Sequence, residues 1–223
     1  MGASNSSAVL HPSDYVHLHN HTHHSLLDGL TKVDELIDRV KELGMTSCAI
    51  TDHGTMSGTI EFYKHAKAAG IKPIVGIEAY VAARSRFDRD PAKDKARYHL
   101  TLLAMNEQGY KNLMQLSTKA NLEGMYYKPR MDRELLELHN EGVIVLSGCA
   151  SGELGENLRV DNYEEAKEVA KWYRSIFGDR YYLELQDHGH LESKTAWDVQ
   201  VKINGYIEKL SKELDIPCVV TSD

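Results

Sequence analysis

The sequence predicts an α/β fold in which seven strands alternate with helices and close into a barrel. Three observations carry this expectation. Short β-rich runs recur between helical stretches along the whole chain. Residues able to bind metal or move protons stand at the ends of several different runs, as they do where parallel barrel strands converge on one rim. No glycine-rich phosphate fingerprint follows the first run, so the single switch-point site of an open doubly wound sheet is not indicated.

The strand runs are Tyr15–His19, Ser47–Thr51, Pro73–Tyr80, His99–Ala104, Val143–Ser147, Tyr181–Gln186 and Pro217–Ser222. Between the first two, Val33, Leu36, Ile37, Val40 and Leu43 recur at helical spacing, and Gly44 supplies a stop, which predicts a helix over 32–43. Further helices are expected over 57–69, 107–122, 132–139, 163–176 and 192–214. Helical crossovers between strands imply that the strands run parallel. Residues 1–14 are expected to form a flexible segment, and 15–223 a single domain.

Composition narrows the function. Of 223 residues 42% are hydrophobic and 26% charged, ordinary for a globular chain, and no apolar run approaches the roughly 20 residues that span a bilayer. Three cysteines, Cys48, Cys149 and Cys218, are odd in number and widely spaced, which argues for reduced thiols in a cytoplasmic setting. A formal net charge of −7 opposes nucleic-acid binding by the surface as a whole, so any such contact is local. One local candidate is the loop "AARSRFDRDPAKDKARYH", where Arg84, Arg86, Arg89, Lys93, Lys95 and Arg97 outnumber three aspartates. The same pattern also suits a solvated charged loop.

The densest chemical signal is "VHLHNHTHHSLLDG", with five of the twelve histidines between positions 17 and 24. In an extended chain His17, His19 and His21 share one face. Their rim also receives Asp52 and His53, Glu78, Cys149, Asp187 and His188, and Asp223. Imidazole, carboxylate and thiolate are the ligands of zinc, and Mn²⁺ or Fe²⁺ accept the nitrogen and oxygen members. Ionisable groups gathered at strand ends are costly as core filling unless paired or metal-bound. His17 lies one layer deeper and suits a hydrogen-bonded core role, while His23 and His24 fall in a turn and read as surface residues. Asp28 is either a turn residue before Gly29 or a bridging carboxylate. His99 begins its strand instead of ending it, so either that strand runs opposite to the others or the preceding loop curls over the rim.

Taken in order, "HLHNHTHHSLLDG", "AITDHGTMSG", "IKPIVGIEAYVA", "YHLTLLAMNEQGYKNL", "YKPRMDRE", "EGVIVLSGC" and "VVTSD" resemble the polymerase-and-histidinol-phosphatase (PHP) domain of bacterial replicative DNA polymerase III alpha subunits, from residue 15 to 223. The resemblance implies a distorted seven-stranded (β/α)7 barrel with three divalent metal ions, of Zn, Mn, Fe or Mg, at its carboxyl rim. The implied ligands are His19, His21, Asp28, His53, Glu78, His99, Cys149 and Asp223, with His19, His21, His53 and Glu78 catalytic through metal-activated water. The family closes its cluster with Asp-x-His, and this chain stops at the Asp, so the sequence is expected to be cut within that motif.

The implied activity is metal-dependent phosphoester hydrolysis, specifically 3′→5′ exonucleolytic proofreading at the primer 3′ end of DNA during replication. Arg84, Arg86, Lys128, Arg130 and His188 are the candidates to contact DNA. Implied partners are the polymerase core of a longer chain and other replisome subunits, with no membrane, in the bacterial cytoplasm. Two alternatives stand beside this: a non-catalytic platform for the polymerase core and a separate proofreading subunit, and a small-molecule phosphatase of the histidinol phosphate type. The blocks "GYKNL" and "YKPRMDRE" favour the polymerase setting over the second. Nucleotidyl transfer itself has no room in this chain.

Overall fold

The computed structural model describes residues 11–26, 28–188 and 194–223. Of the expected flexible segment, residues 1–10 lie outside the described residues, and Pro12–Asp14 form a short 3₁₀ turn. The strands are β1 (Ser47–Ile50), β2 (Lys72–Ala82), β3 (Arg97–Ala104), β4 (Met125–Tyr126), β5 (Lys128–Met131), β6 (Val143–Leu146), β7 (Tyr181–Gln186) and β8 (Cys218–Thr221). The helices are α1 (Val33–Glu42), α2 (Thr59–Ala68), α3 (Glu107–Leu122), α4 (Arg133–Leu138), α5 (Glu153–Arg159), α6 (Tyr163–Phe177) and α7 (Lys194–Leu214). Helix α7 starts within the expected 192–214, whose first two residues are outside the description.

The sheet runs β4-β5-β2-β3-β6-β7-β8, with β1 paired to the first half of β2. It curls around a plug made of Leu18, Ala49, Ile74, Leu103, Ile144, Leu146, Tyr182 and Val219. These residues come from β1, β2, β3, β6, β7, β8 and the segment before β1, so seven stretches of chain surround one interior, the packing of a small barrel. A larger apolar layer fills the space between β2, β3, β6 and β7 and helices α3 to α7. A separate cluster that includes Val33, Ile37, Cys48, Ile50 and Phe62 seats α1 and α2 on β1.

Three expectations need correction. The strands are not all parallel: β3 is antiparallel to both β2 and β6, with Glu78 opposite Thr101 and Tyr80 opposite His99. Residues 83–96 between β2 and β3 hold no helix, so the two strands are joined as neighbours in a hairpin-like connection instead of a crossover. This reversal carries His99 to the rim where β2 and β6 finish. Next, Tyr15–His19 does not form a full strand. Among the described residues of this segment only His17 forms a bridge, to Cys48: the Ala49 and Thr51 N–H groups donate to the His17 and Asn20 carbonyls, but the Asn20 amide and its backbone N–H take side-chain bonds to the His17 and Ala49 carbonyls and Thr51 Oγ1 in place of further ladder bonds. Finally, α5 and the β4–β5 hairpin are additional elements, and Pro129 inside β5 hides the latter from a strand pattern.

Candidate metal centre

The eight implied ligands come together around one carboxylate. Glu78 is fully buried on β2, and its Oε2 lies 3.2 Å from His19 Nε2, 3.0 Å from His21 Nε2 and 2.9 Å from His53 Nδ1. Its Oε1 lies 3.0 Å from His99 Nδ1 and 3.7 Å from Cys149 Sγ. Asp223 Oδ1 is 2.9 Å from His21 Nε2 and 3.6 Å from His19 Nε2, with its side chain 22% exposed. Asp28 Oδ2 reaches His53 Nε2 at 3.4 Å from the far side. Two donor groups therefore share Glu78: His19, His21, Glu78 and Asp223 in one, and His53, Glu78 and His99 in the other.

Local structure aims these groups. The turn after His21 is tied by buried Asp52, whose carboxylate accepts the Thr22 N–H at 2.6 Å and the Thr22 hydroxyl. Ser25 Oγ in that turn accepts the His53 N–H, which binds the "TDH" segment to the histidine segment. Gly148 takes φ +84°, and a Cβ there would meet the His99 carbonyl at 2.6 Å; glycine thus permits the tight turn that presents Cys149. His17 is half-buried against Tyr15, with Ser222 Oγ 3.4 Å from its Nδ1, the supporting position its spacing suggests.

One residue escaped the sequence reading. Glu184, buried on β7, sits 2.7 Å from His19 Nδ1 and also accepts from the Thr221 hydroxyl and the Gly148 N–H. A carboxylate behind a histidine fixes its tautomer and ring orientation. With Nδ1–H directed to Glu184, the His19 Nε2 lone pair points at Glu78 and Asp223, which are acceptors themselves. The only sequence hint was the inward phase of Glu184 in "YYLELQ", one register from the apolar Leu183 and Leu185. Glu184→Gln is expected to lower metal affinity about 10- to 100-fold while the protein stays folded, as read by metal titration beside circular dichroism.

The donor set fits a cation. His19 Nε2, His21 Nδ1, His53 Nδ1 and Glu78 Oε2 are buried without a hydrogen-bond partner. His19 Nε2 and His53 Nδ1 lie 3.2 and 2.9 Å from Glu78 Oε2 without the alignment of a hydrogen bond. Buried polar atoms are otherwise almost always satisfied. The metal-free electrostatics carry the same signature. Burial disfavours a charged His21, but the Asp223 and Glu78 carboxylates beside its Nε2 outweigh it and raise its pKa to about 9. His19 is likewise pushed up, with Glu184 and Glu78 overcoming its burial. Glu78 falls well below the carboxylate range because the His19 charge and three imidazole contacts outweigh its desolvation. Burial, then the charges of Glu78 and Asp223, push the Cys149 thiol up. A pocket that draws protons this strongly is one in which a divalent ion would compete with them.

The expected DNA contacts divide. Arg86 and Arg130 are buried: Arg86 is paired with Asp132, Glu123 and Glu134, and Arg130 donates to backbone carbonyls. A guanidinium enclosed in this way cannot reach a nucleic-acid backbone, so these two act in folding. Arg84 is committed to Asp94 at 2.7 Å. Lys128 packs over Tyr80 and lines a groove with His23, His24, Leu26 and His53. His188 lies with Cys149, Arg159 and Asp223 along another. From the basic loop, Lys95 and Arg97 line a third groove beside His99 and Ser151. No helix among the described residues is long and apolar enough to cross a membrane.

Among curated proteins, the DNA polymerase III subunit alpha of Treponema pallidum is 49% identical over 211 residues, 94% of this chain and 17% of that protein. That of Borreliella burgdorferi is 43% identical over 212 residues, 95% of this chain and 18% of that one. The chain spans about a sixth of the length of the curated relatives it matches. Among solved structures, an amidohydrolase of Chromobacterium violaceum aligns at a TM-score of 0.43 and 13% identity, over 93% of this chain and 86% of that one. The PHP domain family matches residues 17–188, a stretch that opens in the histidine segment and runs through β7, and the chain therefore belongs to the PHP domain family.

Proposed function

We propose that this chain is the PHP portion of a DNA polymerase III alpha subunit, and that its centre is a metal-dependent phosphoesterase removing nucleotides from DNA 3′ ends. The observation that carries this reading is the convergence of unpartnered buried imidazole nitrogens on the shared carboxylate of Glu78. Divalent ions held there would supply Lewis-acid polarisation of phosphate and water activated near pH 7. His19, His21, Glu78 and Asp223 would hold divalent ions on one side and His53, Glu78 and His99 on the other, with Cys149 and Asp28 as further ligands at the edge. Glu184 holds the proton on His19 Nδ1 and so keeps Nε2 free. The three grooves around Glu78 bring Lys128, Arg159, Lys95 and Arg97 to the rim, local cations on a chain of net charge −7. They suit a phosphodiester backbone approaching from outside.

The test is shortening of 5′-labelled single-stranded DNA with Mn²⁺ or Zn²⁺, on this chain alone and within the full-length subunit. The expected result is stepwise 3′→5′ loss that stops with chelator. A metal-loaded, folded protein that leaves DNA intact would overturn the catalytic reading in favour of a platform. Hydrolysis of p-nitrophenyl phosphate without attack on DNA would overturn the substrate assignment.

A further inference from the structure

Away from Glu78, a second set of donors is gathered where the sequence suggested only surface histidines. One ligand atom each from His23, His24 and Glu61 lie within 4.8 Å of one another. His24 Nε2 is 2.8 Å from Glu61 Oε2 on α2, and the two imidazole rings are 4.3 Å apart. His24–Glu61 links the turn to α2, but the turn also has support of its own. The turn is fixed through its backbone: His23 N–H donates to the Thr31 carbonyl, His24 N–H to Thr22 Oγ1, and Ser25 N–H to the Thr22 carbonyl. Buried Asp52 anchors Thr22 beneath them. Gly58, just before α2, leaves the space for the His24 ring, since a Cβ there would lie 2.7 Å from His24 Cδ2. The donors are therefore positioned largely by backbone scaffolding, and the His24–Glu61 contact is one that a metal ion would replace.

We propose that His23, His24 and Glu61 form a peripheral site for a divalent transition metal of the Zn²⁺ or Ni²⁺ class, distinct from the centre on Glu78. Two imidazoles and one carboxylate suit such ions, and three protein ligands leave coordination positions open. Those positions face solvent at a groove whose walls include His23, His24, His53 and Lys128. A bound cation would add positive charge at that entrance, where the overall charge of the chain is unfavourable to phosphate. This assignment goes beyond the phosphoesterase reading and stands without it.

The probe is Ni²⁺ or Zn²⁺ alone, titrated calorimetrically, with metal content measured after dialysis. The wild-type chain, Glu78→Gln and the double variant His23→Ala/His24→Ala are compared. The double variant is expected to lose about one equivalent per chain and keep the metal that depends on Glu78. Glu78→Gln is expected to keep the peripheral equivalent, so failure of the main centre and failure of this site are distinguishable. Gly58→Ala removes no donor but displaces the His24 ring, and it is expected to weaken the same equivalent. Glu61→Gln repeats the test with a change at an exposed carboxylate. Equal stoichiometry and affinity in the wild type, the double variant and Glu61→Gln would overturn the site and leave a surface histidine–glutamate ion pair.

Discussion

Glu78→Gln is expected to cost at least about 1,000-fold in metal-dependent hydrolysis and to strip metal from both halves of the centre. The replacement keeps the shape, so packing on β2 is preserved, and what changes is charge and lone pairs. Glu78 Oε2 serves His19, His21 and His53, and Oε1 serves His99 and Cys149. An amide keeps one acceptor oxygen and aims an NH₂ donor at the other group. A donor proton next to a site that must accept a cation removes the site. Several kcal/mol of charge stabilisation rest on such ions, and about 1.4 kcal/mol corresponds to tenfold in rate, which sets the scale of the loss. A second readout is independent of turnover. His21 is raised to about 9 by the Asp223 and Glu78 carboxylates, the latter 3.0 Å from its Nε2. In the metal-free variant its titration, followed by NMR, is expected to move down toward the ordinary 6.5. A variant with unchanged metal content and activity within tenfold of wild type would remove Glu78 from the proposed role.

The legible part of this molecule was whatever depends on short-range pattern. Helices α1, α3 and α6 follow from apolar spacing, because each buries one stripe on the sheet. The approximate place of the donors at strand ends followed too, since strand ends converge whatever the side chains between them, whereas His99 and Asp28 stayed open until the resemblance was drawn. Strand direction was less visible. Nothing within "RYHLTLLA" tells β3 which way to run; only the missing helix across 83–96 does, and that is a property of the connection. The first segment read as a strand because its alternation is right, but Asn20 redirects its backbone bonds, an effect one amide side chain exerts through contacts 29 residues away. Glu184 showed little more than its phase in the strand, for a related reason. Burial of a carboxylate is decided by partners distant in the chain, His19 above all, and no local rule marks it. The basic loop misled in the opposite sense: counting Arg86 and Arg130 as cations ignores Asp132, Glu123 and the carbonyls that enclose them.

Arg130→Ala is expected to lower stability by about 3–5 kcal/mol. Arg130 is 1% exposed on β5, beside Tyr80 of β2. Its Nε donates to the Gly124 carbonyl at 3.2 Å and Nη1 to Asp94 O at 3.0 Å. Nη2 donates to Arg86 O at 3.2 Å and to Asp88 O at 2.8 Å. One planar guanidinium thus fastens the 83–96 connection and the end of α3 to the sheet. Truncation removes the donors and leaves buried carbonyls unpaired, at roughly 1–3 kcal/mol for each one that water cannot reach. Against a total stability of about 5–15 kcal/mol this is a large fraction. Arg130→Lys is expected to fall between, because an ammonium is a compact donor that cannot spread over carbonyls on opposite sides. Lys128 supplies the contrast two residues away. Being half-buried at a groove, its replacement by Ala is expected to leave the unfolding midpoint nearly unchanged and to reduce salt-dependent DNA affinity. Urea unfolding of the three variants, followed by DNA binding at two salt concentrations, separates the roles. If Arg130→Ala kept its midpoint and lost only DNA affinity, Arg130 would be a surface contact after all, and the enclosure of its guanidinium by carbonyls would have no energetic weight.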